Sequence, residues 1–176
     1  MRSAPQEIRT FFVTAVTWQR RPLFQTEPMA CLFLDTLARY RNQGRFLIHE
    51  FVLMPDHFHL LLTPAPDISL EKALQLLKGG FSFRVKRELG SNAEVWQEGF
   101  TEHRVKNAED FERHAVYVRD NPVRARLAEN AAAYPYGSAA GSLEVDSVPP
   151  GIEPSITNGE QFAGLKSGAS TVSPMK

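Results

Sequence analysis

The chain alternates between short stretches of period-two hydrophobicity and longer stretches of helical spacing. Arg9 to Trp18 is dense in β-branched and aromatic residues and reads as a first strand, closed by the basic turn Gln19-Arg20-Arg21-Pro22. From Pro28 to about Asn42, Met29, Leu32, Phe33, Leu37 and Tyr40 recur at helical spacing, with Gly44 as a stop. Arg45 to Met54 reads as a second strand, with Phe46, Ile48 and Val52 expected on one face and Leu47, Phe51 and Leu53 on the other. Pro55-Asp56 supplies turn chemistry, so the next strand, His57 to Thr63, is expected antiparallel to the second, with Pro64 and Pro66 ending the hairpin.

Ser69 is a good N-cap for a helix running to about Leu89, whose buried stripe is Leu70, Leu74, Leu77, Phe81 and Val85. Gly79-Gly80 interrupts it, at a cost in helix propensity and with room for a close backbone approach. Val95 to Val105 reads as a fourth strand of weaker alternation. A helix from about Ala108 to Asp120 follows, ended by Asn121-Pro122, with a further short helix over Val123 to Glu129. The order strand, helix, strand, strand, helix, strand, helix predicts an α+β, ferredoxin-like (split βαβ) fold. It has an antiparallel four-stranded sheet and an added C-terminal helix. From about Gly137 the chain turns rich in Ser, Gly and Pro, and the expected division is a folded domain over 1–138 and a flexible acidic tail over 139–176.

Composition changes this picture little. At 176 residues with 43% hydrophobic and 23% charged positions, the chain is long enough to bury a core. The single cysteine, Cys31, excludes an intrachain disulfide and a thiolate metal site, which suits a reducing compartment. No apolar run approaches the ~20 residues of a membrane span, and the first residues lack a signal-peptide pattern, so a cytoplasmic location is expected. The net charge of zero divides unevenly: 18 Lys and Arg against 15 Asp and Glu through Leu127 (+3), then 2 against 5 beyond it (−3). That balance alone does not identify a nucleic-acid binder, although arginine dominates the basic set and suits phosphate recognition.

The chemistry gathers at Met54-Pro55-Asp56-His57-Phe58-His59. On an extended strand His57 and His59 share one face, while Phe58, Leu60 and Leu62 take the other. Two imidazoles at this spacing suit one divalent cation, but they equally suit an ordinary polar strand face, and two ligands do not hold a metal alone. Tyr117 and Asn121 lie four residues apart, hence on one helical face, and offer a phenol and an amide oxygen. Spacing leaves open whether they are catalytic, or a core tyrosine and a helix terminator. Glu50 and Asp56 flank the histidine strand and are candidates for an outer-shell oxygen.

These residues carry a resemblance. Met54-Pro55-Asp56-His57-Phe58-His59-Leu60 resembles the histidine–hydrophobic–histidine (HUH) signature of single-tyrosine, IS200-like transposases. Tyr117-Val118-Arg119-Asp120-Asn121-Pro122-Val123-Arg124-Ala125 resembles their catalytic-tyrosine helix and the turn after it. Trp18 to Phe24, Trp96-Gln97 with His103-Arg104-Val105, and Tyr134-Pro135-Tyr136-Gly137-Ser138-Ala139 fit in the same order, and the REP-associated tyrosine transposase branch is most similar.

The resemblance implies the same split βαβ fold, with the tyrosine on the C-terminal helix. It implies His57, His59 and Asn121 as ligands of a divalent metal, Mg or Mn, and Tyr117 as the nucleophile. The reaction implied is cleavage of single-stranded DNA to a 5′-phosphotyrosine and a free 3′-hydroxyl. The implied DNA is a short REP-like palindrome, folded as a hairpin with a flanking guide sequence. A monomer is expected, with a homodimer the alternative, and no membrane partner. No Gly-rich nucleotide loop is present, so no nucleotide cofactor is expected.

Candidate DNA contacts are Arg20, Arg21, Lys78, Arg84, Lys86, Arg87, His103, Arg104, Lys106, Arg119, Arg124 and Arg126, a set that also reads as solvated helix faces. Trp96 is expected in the core, and His49 and His114 as structural or surface residues. Two other classes remain: a non-catalytic single-stranded nucleic-acid-binding module on the same fold, and a replication or conjugation initiator of the wider HUH group. The strands lack an aromatic RNP signature, which weighs against the first. Neither a third histidine ligand nor an extra domain is in evidence for the second.

Overall fold

A computed structural model describes residues 7–149 and 151–152. Strand β1 (Phe11–Val16) leads into helix α1 (Glu27–Asn42), the hairpin β2 (Phe46–Met54) and β3 (His57–Pro64), helix α2 (Leu70–Leu89), strand β4 (Thr101–Arg104) and helix α3 (Ala108–Arg124). The sheet runs β2-β3-β1-β4 with every pairing antiparallel, which is the split βαβ arrangement expected from the alternation.

The two faces of the sheet are covered differently. Val13 and Ala15 of β1 and Phe58, Leu60 and Leu62 of β3 join Phe33 and Leu37 of α1 and Leu74, Leu77, Phe81 and Val85 of α2 in one large core. Trp96 belongs to this core, as expected, and donates its indole N–H to the Lys78 carbonyl at 3.0 Å. The opposite face receives α3, through Val118 packed with Val52, Met54 and the buried Tyr134, and through Phe111 and Ala115 packed with Leu61 and Val105.

Helix ends follow their local chemistry. Ser69 accepts from the Lys72 N–H, Asn107 accepts from the Asp110 N–H, and Gly90 closes α2 in the left-handed conformation at φ 65°. The close approach foreseen at Gly79-Gly80 occurs at the second glycine only. A Cβ on Gly80 would lie 2.8–2.9 Å from ring carbons of Tyr40 on α1, whereas Gly79 has nothing within 4 Å.

Four expectations are corrected. The register of β2 shifts between Ile48 and Glu50, and this bulge reverses the alternation. Phe46, Ile48, Phe51 and Leu53 consequently share the α1/α2 face, and Val52 and Met54 face α3. The fourth strand is only Thr101–Arg104, because Trp96 makes a single bridge to Thr17 before the chain turns at Gly99. Asn121-Pro122 does not end α3, and no separate helix spans 123–129. Proline in the last turn forfeits the bond its N–H would make to the Val118 carbonyl, and the burial of Val118 and Pro122 carries the helix through it. The helix therefore runs to Arg124 and closes at Arg126, φ 59°.

The last correction concerns the expected domain end at Ser138: the chain is docked on β2 before it, and the start of the expected tail stays docked through Asp146. Gly137 bridges Val52, the Leu53 N–H donates to the Tyr136 carbonyl at 2.8 Å, and the buried Tyr134 hydroxyl donates to the Leu53 carbonyl at 2.7 Å. Asp146 accepts from Arg41 at 2.8 and 3.0 Å and from the Ile48 N–H at 2.8 Å. Residues 134–146 thus cover the outer edge of β2, where unpaired backbone groups would otherwise face solvent. The remainder of the expected tail, 153–176, lies outside the described residues.

Candidate active site

The antiparallel register sets the site. Thr14 sits opposite His59 and Val16 opposite His57 in the β1–β3 pairing, and Phe12 sits opposite His103 in the β1–β4 pairing. Phe12, Thr14, His57, His59 and His103 therefore occupy the one sheet face that α3 covers. Tyr117 reaches that face from above: its ring centroid lies 5.4 Å from His59 and 5.8 Å from Phe12, edge-on to both. Its side chain stays open to solvent, with the whole residue 37% exposed. Asn121 follows one regular helical turn later, and is half-buried.

Each imidazole of the pair is held through Nδ1. The Asp56 carboxylate accepts from His57 Nδ1 at 2.6 Å, which directs the other ring nitrogen, Nε2, away from Asp56. Thr14 Oγ1 lies 2.6 Å from His59 Nδ1. The two rings are 4.8 Å apart, centroid to centroid, and nearly perpendicular. Burial first, and the neighbouring His57 second, push the His59 pKa down to about 3, so this ring is neutral across the physiological range. A neutral imidazole with an oriented Nδ1 is the form that ligates a cation. Burial would raise the Asp56 pKa, but the His57 N–H and the Arg20 guanidinium outweigh it and hold the carboxyl below its usual range.

The turn after β1 is tied to this site. The Thr17 N–H and hydroxyl both donate to the Asp56 carbonyl, at 2.9 and 3.0 Å, and Gln19 and Arg20 adopt φ of 53° and 51°. Left-handed conformations at two successive non-glycine residues are strained and persist only where the surroundings impose them. Here they aim the exposed Arg20 side chain at Asp56, at 3.4 Å. On α3, the Arg124 guanidinium lies 5.6 Å from the centre of the Tyr117 ring. A shallow groove lined by Glu109, Glu112, Arg113, Val116, Tyr117 and Arg124 runs alongside.

The remaining candidate DNA contacts divide. His103 lies on β4 on the face of the site, whereas Arg104, opposite Phe11 in register, turns to the other face and pairs with Glu7 at 3.1 Å, and Lys106 follows directly. Arg119 is half-occupied by ion pairs to Glu50 and Glu112, and Arg126 is exposed just past α3. Arg21 donates to the carbonyls of Trp18 and Glu94. Lys78, Arg84, Lys86 and Arg87 belong to α2, across the sheet from Tyr117. Lys78 donates to the Gln97 and Gly99 carbonyls, and burial lowers its pKa. Arg84 ties Asp35 and Thr36 of α1 to Glu88 of its own helix. Glu50, read as an outer-shell candidate, instead pairs with Arg119 and Ser138.

Sequence reasoning underrated a second group on the same face. Asp110 is 3% exposed. Its carboxylate accepts from His103 Nε2 at 2.8 Å, from the Lys106 N–H at 2.9 Å and from Arg113 at 2.9 Å. Burial alone would raise its pKa, and these donors reverse that and hold it far below the usual carboxylate range. His114, read as structural or surface, stacks on His103 with centroids 4.7 Å apart. The ligand atoms of His103, Asp110 and His114 lie within 4.8 Å of one another. The Asp110–His114 spacing of four residues was visible in the sequence; the meeting with His103 required the strand register.

Among the described residues no helix is long and apolar enough to cross a membrane. Comparison with known proteins bears on the same face. A REP-associated tyrosine transposase of Escherichia coli K12 is 22% identical over 141 residues, covering 75% of this chain and 81% of that protein. A protein of Haemophilus influenzae, provisionally named a REP-associated tyrosine transposase, is 27% identical over 107 residues, 55% of this chain and 61% of its own length. Among solved structures, that of a REP-associated tyrosine transposase bound to a REP hairpin superposes with a TM-score of 0.62 at 21% identity, covering 92% of this chain and 99% of the other. The sequence pattern of the IS200-like transposases matches residues 9–121, a span that contains β1, the histidine pair and the tyrosine helix up to Asn121. The chain belongs to the IS200-like transposase family, and its role is DNA processing of the transposase type.

Proposed function

We propose that this protein is a metal-dependent single-strand DNA endonuclease and strand transferase that acts on hairpin DNA through a 5′-phosphotyrosine. The observation that carries this reading is the placement of Tyr117 5.4 Å from His59 on the single sheet face that also holds His57. A tyrosine on the α1/α2 face would have excluded it.

His57 and His59 would present their Nε2 atoms to a divalent cation, Mg or Mn, once Thr14 accepts from His59 Nδ1. Asn121 would add an amide oxygen from the tyrosine helix. The donor set fits such a cation: two imidazoles, one of them buried and held neutral, and an amide oxygen. The bound ion would neutralise charge on the phosphoryl oxygens.

The protein's own residues do the rest. The Tyr117 oxygen forms a bond to the 5′-phosphorus as the bond to the 3′-oxygen breaks, and the phenolic proton is balanced by one gained at the departing 3′-hydroxyl. The covalent bond conserves the energy of the phosphodiester, so the same 3′-hydroxyl or another can reverse the step without a nucleotide. Arg124, beside the Tyr117 ring, and Arg20, beside Asp56, supply positive charge where a phosphate approaches the nucleophile. Arg126, just past α3, extends that margin, whereas Arg104 sits opposite Phe11 in register and turns to the other face of the sheet. Lys78, Arg84, Lys86 and Arg87 form no part of this surface.

The solved relative is bound to a REP hairpin. By analogy we assign this chain a palindromic hairpin with a flanking single-stranded guide, engaged by a monomer. The test is incubation of labelled hairpin oligonucleotides with the full-length protein and Mn2+ or Mg2+, followed by denaturing electrophoresis. The wild type should give a covalent adduct and Tyr117→Phe none. Hairpin binding without any adduct would support a binding module instead, and an adduct in Tyr117→Phe would move the nucleophile elsewhere.

A further inference from the structure

We infer that His103, Asp110 and His114 form a second metal site, separate from the His57/His59 pair, that takes a late first-row divalent ion of the Zn2+ class and clips strand β4 to helix α3. The three side chains come from two elements, the edge strand and the first two turns of the tyrosine helix. Each ring already reaches one oxygen of the Asp110 carboxylate, His103 Nε2 to Oδ2 at 2.8 Å, which an ion would widen, and His114 Nδ1 to Oδ1 at 3.3 Å. Metal–nitrogen and metal–oxygen bonds of about 2.0–2.2 Å place tetrahedral ligand atoms roughly 3.3 Å apart. All three atoms lie within 4.8 Å of one another, so the longest pair must close by at most about 1.5 Å. His103, 40% exposed in its side chain on the outer strand, is free to swing inward by that amount.

Two features set this group apart from a chance cluster of polar side chains. Asp110 is almost wholly buried, and its orientation is fixed by the Lys106 N–H at 2.9 Å, the outer-shell support that metal carboxylates commonly have. The histidine rings are stacked with an interplanar angle of 23°, each turning a nitrogen toward the same carboxylate. Binding keeps the proton balance when both rings are neutral. The proton on His103 Nε2 moves to Nδ1, that on His114 Nδ1 moves to Nε2, and the freed lone pairs face the ion. The bond from His114 to the Asp110 backbone carbonyl at 2.7 Å is given up, and the Arg113 head, 68% exposed, leaves Oδ1 for solvent.

Two imidazoles and one carboxylate favour Zn2+ or Co2+ over Mg2+, in contrast to the harder ion proposed for DNA cleavage. Solvent beside the partly exposed His103 would supply a fourth ligand. The ring of Phe12 lies between the two histidine groups, 4.8 Å from His114 and 5.4 Å from His59, so the ions would not share a ligand.

The experiment is Zn2+ titration of the full-length protein against a chromogenic chelator, with Co2+ visible absorption as a second readout. The His57→Ala protein should retain one tight equivalent. Adding His103→Gln should weaken that equivalent at least about 100-fold, the upper end of what loss of mere outer-shell support costs. Retention of the His57→Ala equivalent after His103→Gln, or its absence before it, overturns the proposal. Long-range 1H–15N spectra of the wild-type imidazoles decide the case even if a variant misfolds. Zn2+ must shift His103 Nε2 and His114 Nδ1, and shifts confined to His57 and His59 refute it. Failure here leaves the adduct assay with Tyr117 untouched, and failure of that assay leaves this titration intact.

Discussion

The two faces of one four-stranded sheet do different work. Against α1 and α2, side chains from every layer interlock: Phe33, Phe58 and Phe81 are at most 1% exposed and Trp96 fills the space between them. Against α3, apolar contact is confined to two small groups, and between them lie Thr14, His57, His59, His103, Asp110 and His114. Strand β3 serves both. Its odd-numbered histidines and Leu61 face α3, and Phe58, Leu60 and Leu62 face the core. One face is rigid because it is close-packed. It thereby holds still a second face whose polar groups are ordered by hydrogen bonds rather than by packing.

The comparison breaks most visibly at Tyr117. Tyr117→Phe should abolish the covalent adduct altogether while leaving the urea midpoint unchanged, since the ring stays against Phe12 and the hydroxyl is solvent-facing. A shifted midpoint would mean that this face also carries stability. Phe58→Ala, one residue from either histidine but on the other face, should cost about 3–5 kcal/mol in denaturant unfolding. A loss below about 1 kcal/mol would contradict the packing described.

Acid should act through the polar face. The folded His59 pKa is about 3, whereas an unfolded imidazole titrates near 6.5. Between those values the unfolded chain binds more protons. Its contribution to the stability of metal-free protein is complete above about pH 6.5 and is lost as pH falls toward 3, at no more than about 1.4 kcal/mol per pH unit. His59→Gln should flatten the stability–pH profile in that window, and an unchanged slope would assign it to other groups.

The smallest effects sharpen the packed face. Gly80→Ala should destabilise by about 1–3 kcal/mol, because Tyr40 must move. Gly79→Ala, with open space around it, should stabilise by up to about 1 kcal/mol. Equal responses in thermal melts would show that α1 and α2 are not as close as drawn.

Much of this was legible in local pattern. The Pro55-Asp56 turn, the alternation after it and the Ser69 cap act over a few residues, so β3, the hairpin and α2 were readable directly. The bulge at His49 was not, because alternating apolar residues look alike on either side of a phase shift; burial of His49 against Thr63 reveals it. Nor was the passage of α3 through Pro122, where packing of Val118 and Pro122 overrides a local breaker. The docking of Asp146 on Arg41 and Ile48 was hidden by a composition that resembles a linker.

By itself, then, the sequence determined the order of the strands and main helices, the shared face of His57 and His59, and the helical face joining Tyr117 to Asn121, since each depends on a fixed backbone repeat. Only the tertiary structure decided that those two faces meet. It also decided that the basic residues of α2 lie across the sheet, and that His103 finds Asp110 and His114. Those outcomes depend on strand register and on which side of the sheet each helix crosses. These are set by the summed burial of many distant side chains and not by any local run. The histidine pair is half of a site in the sequence, and the crossing of α3 over it supplies the other half.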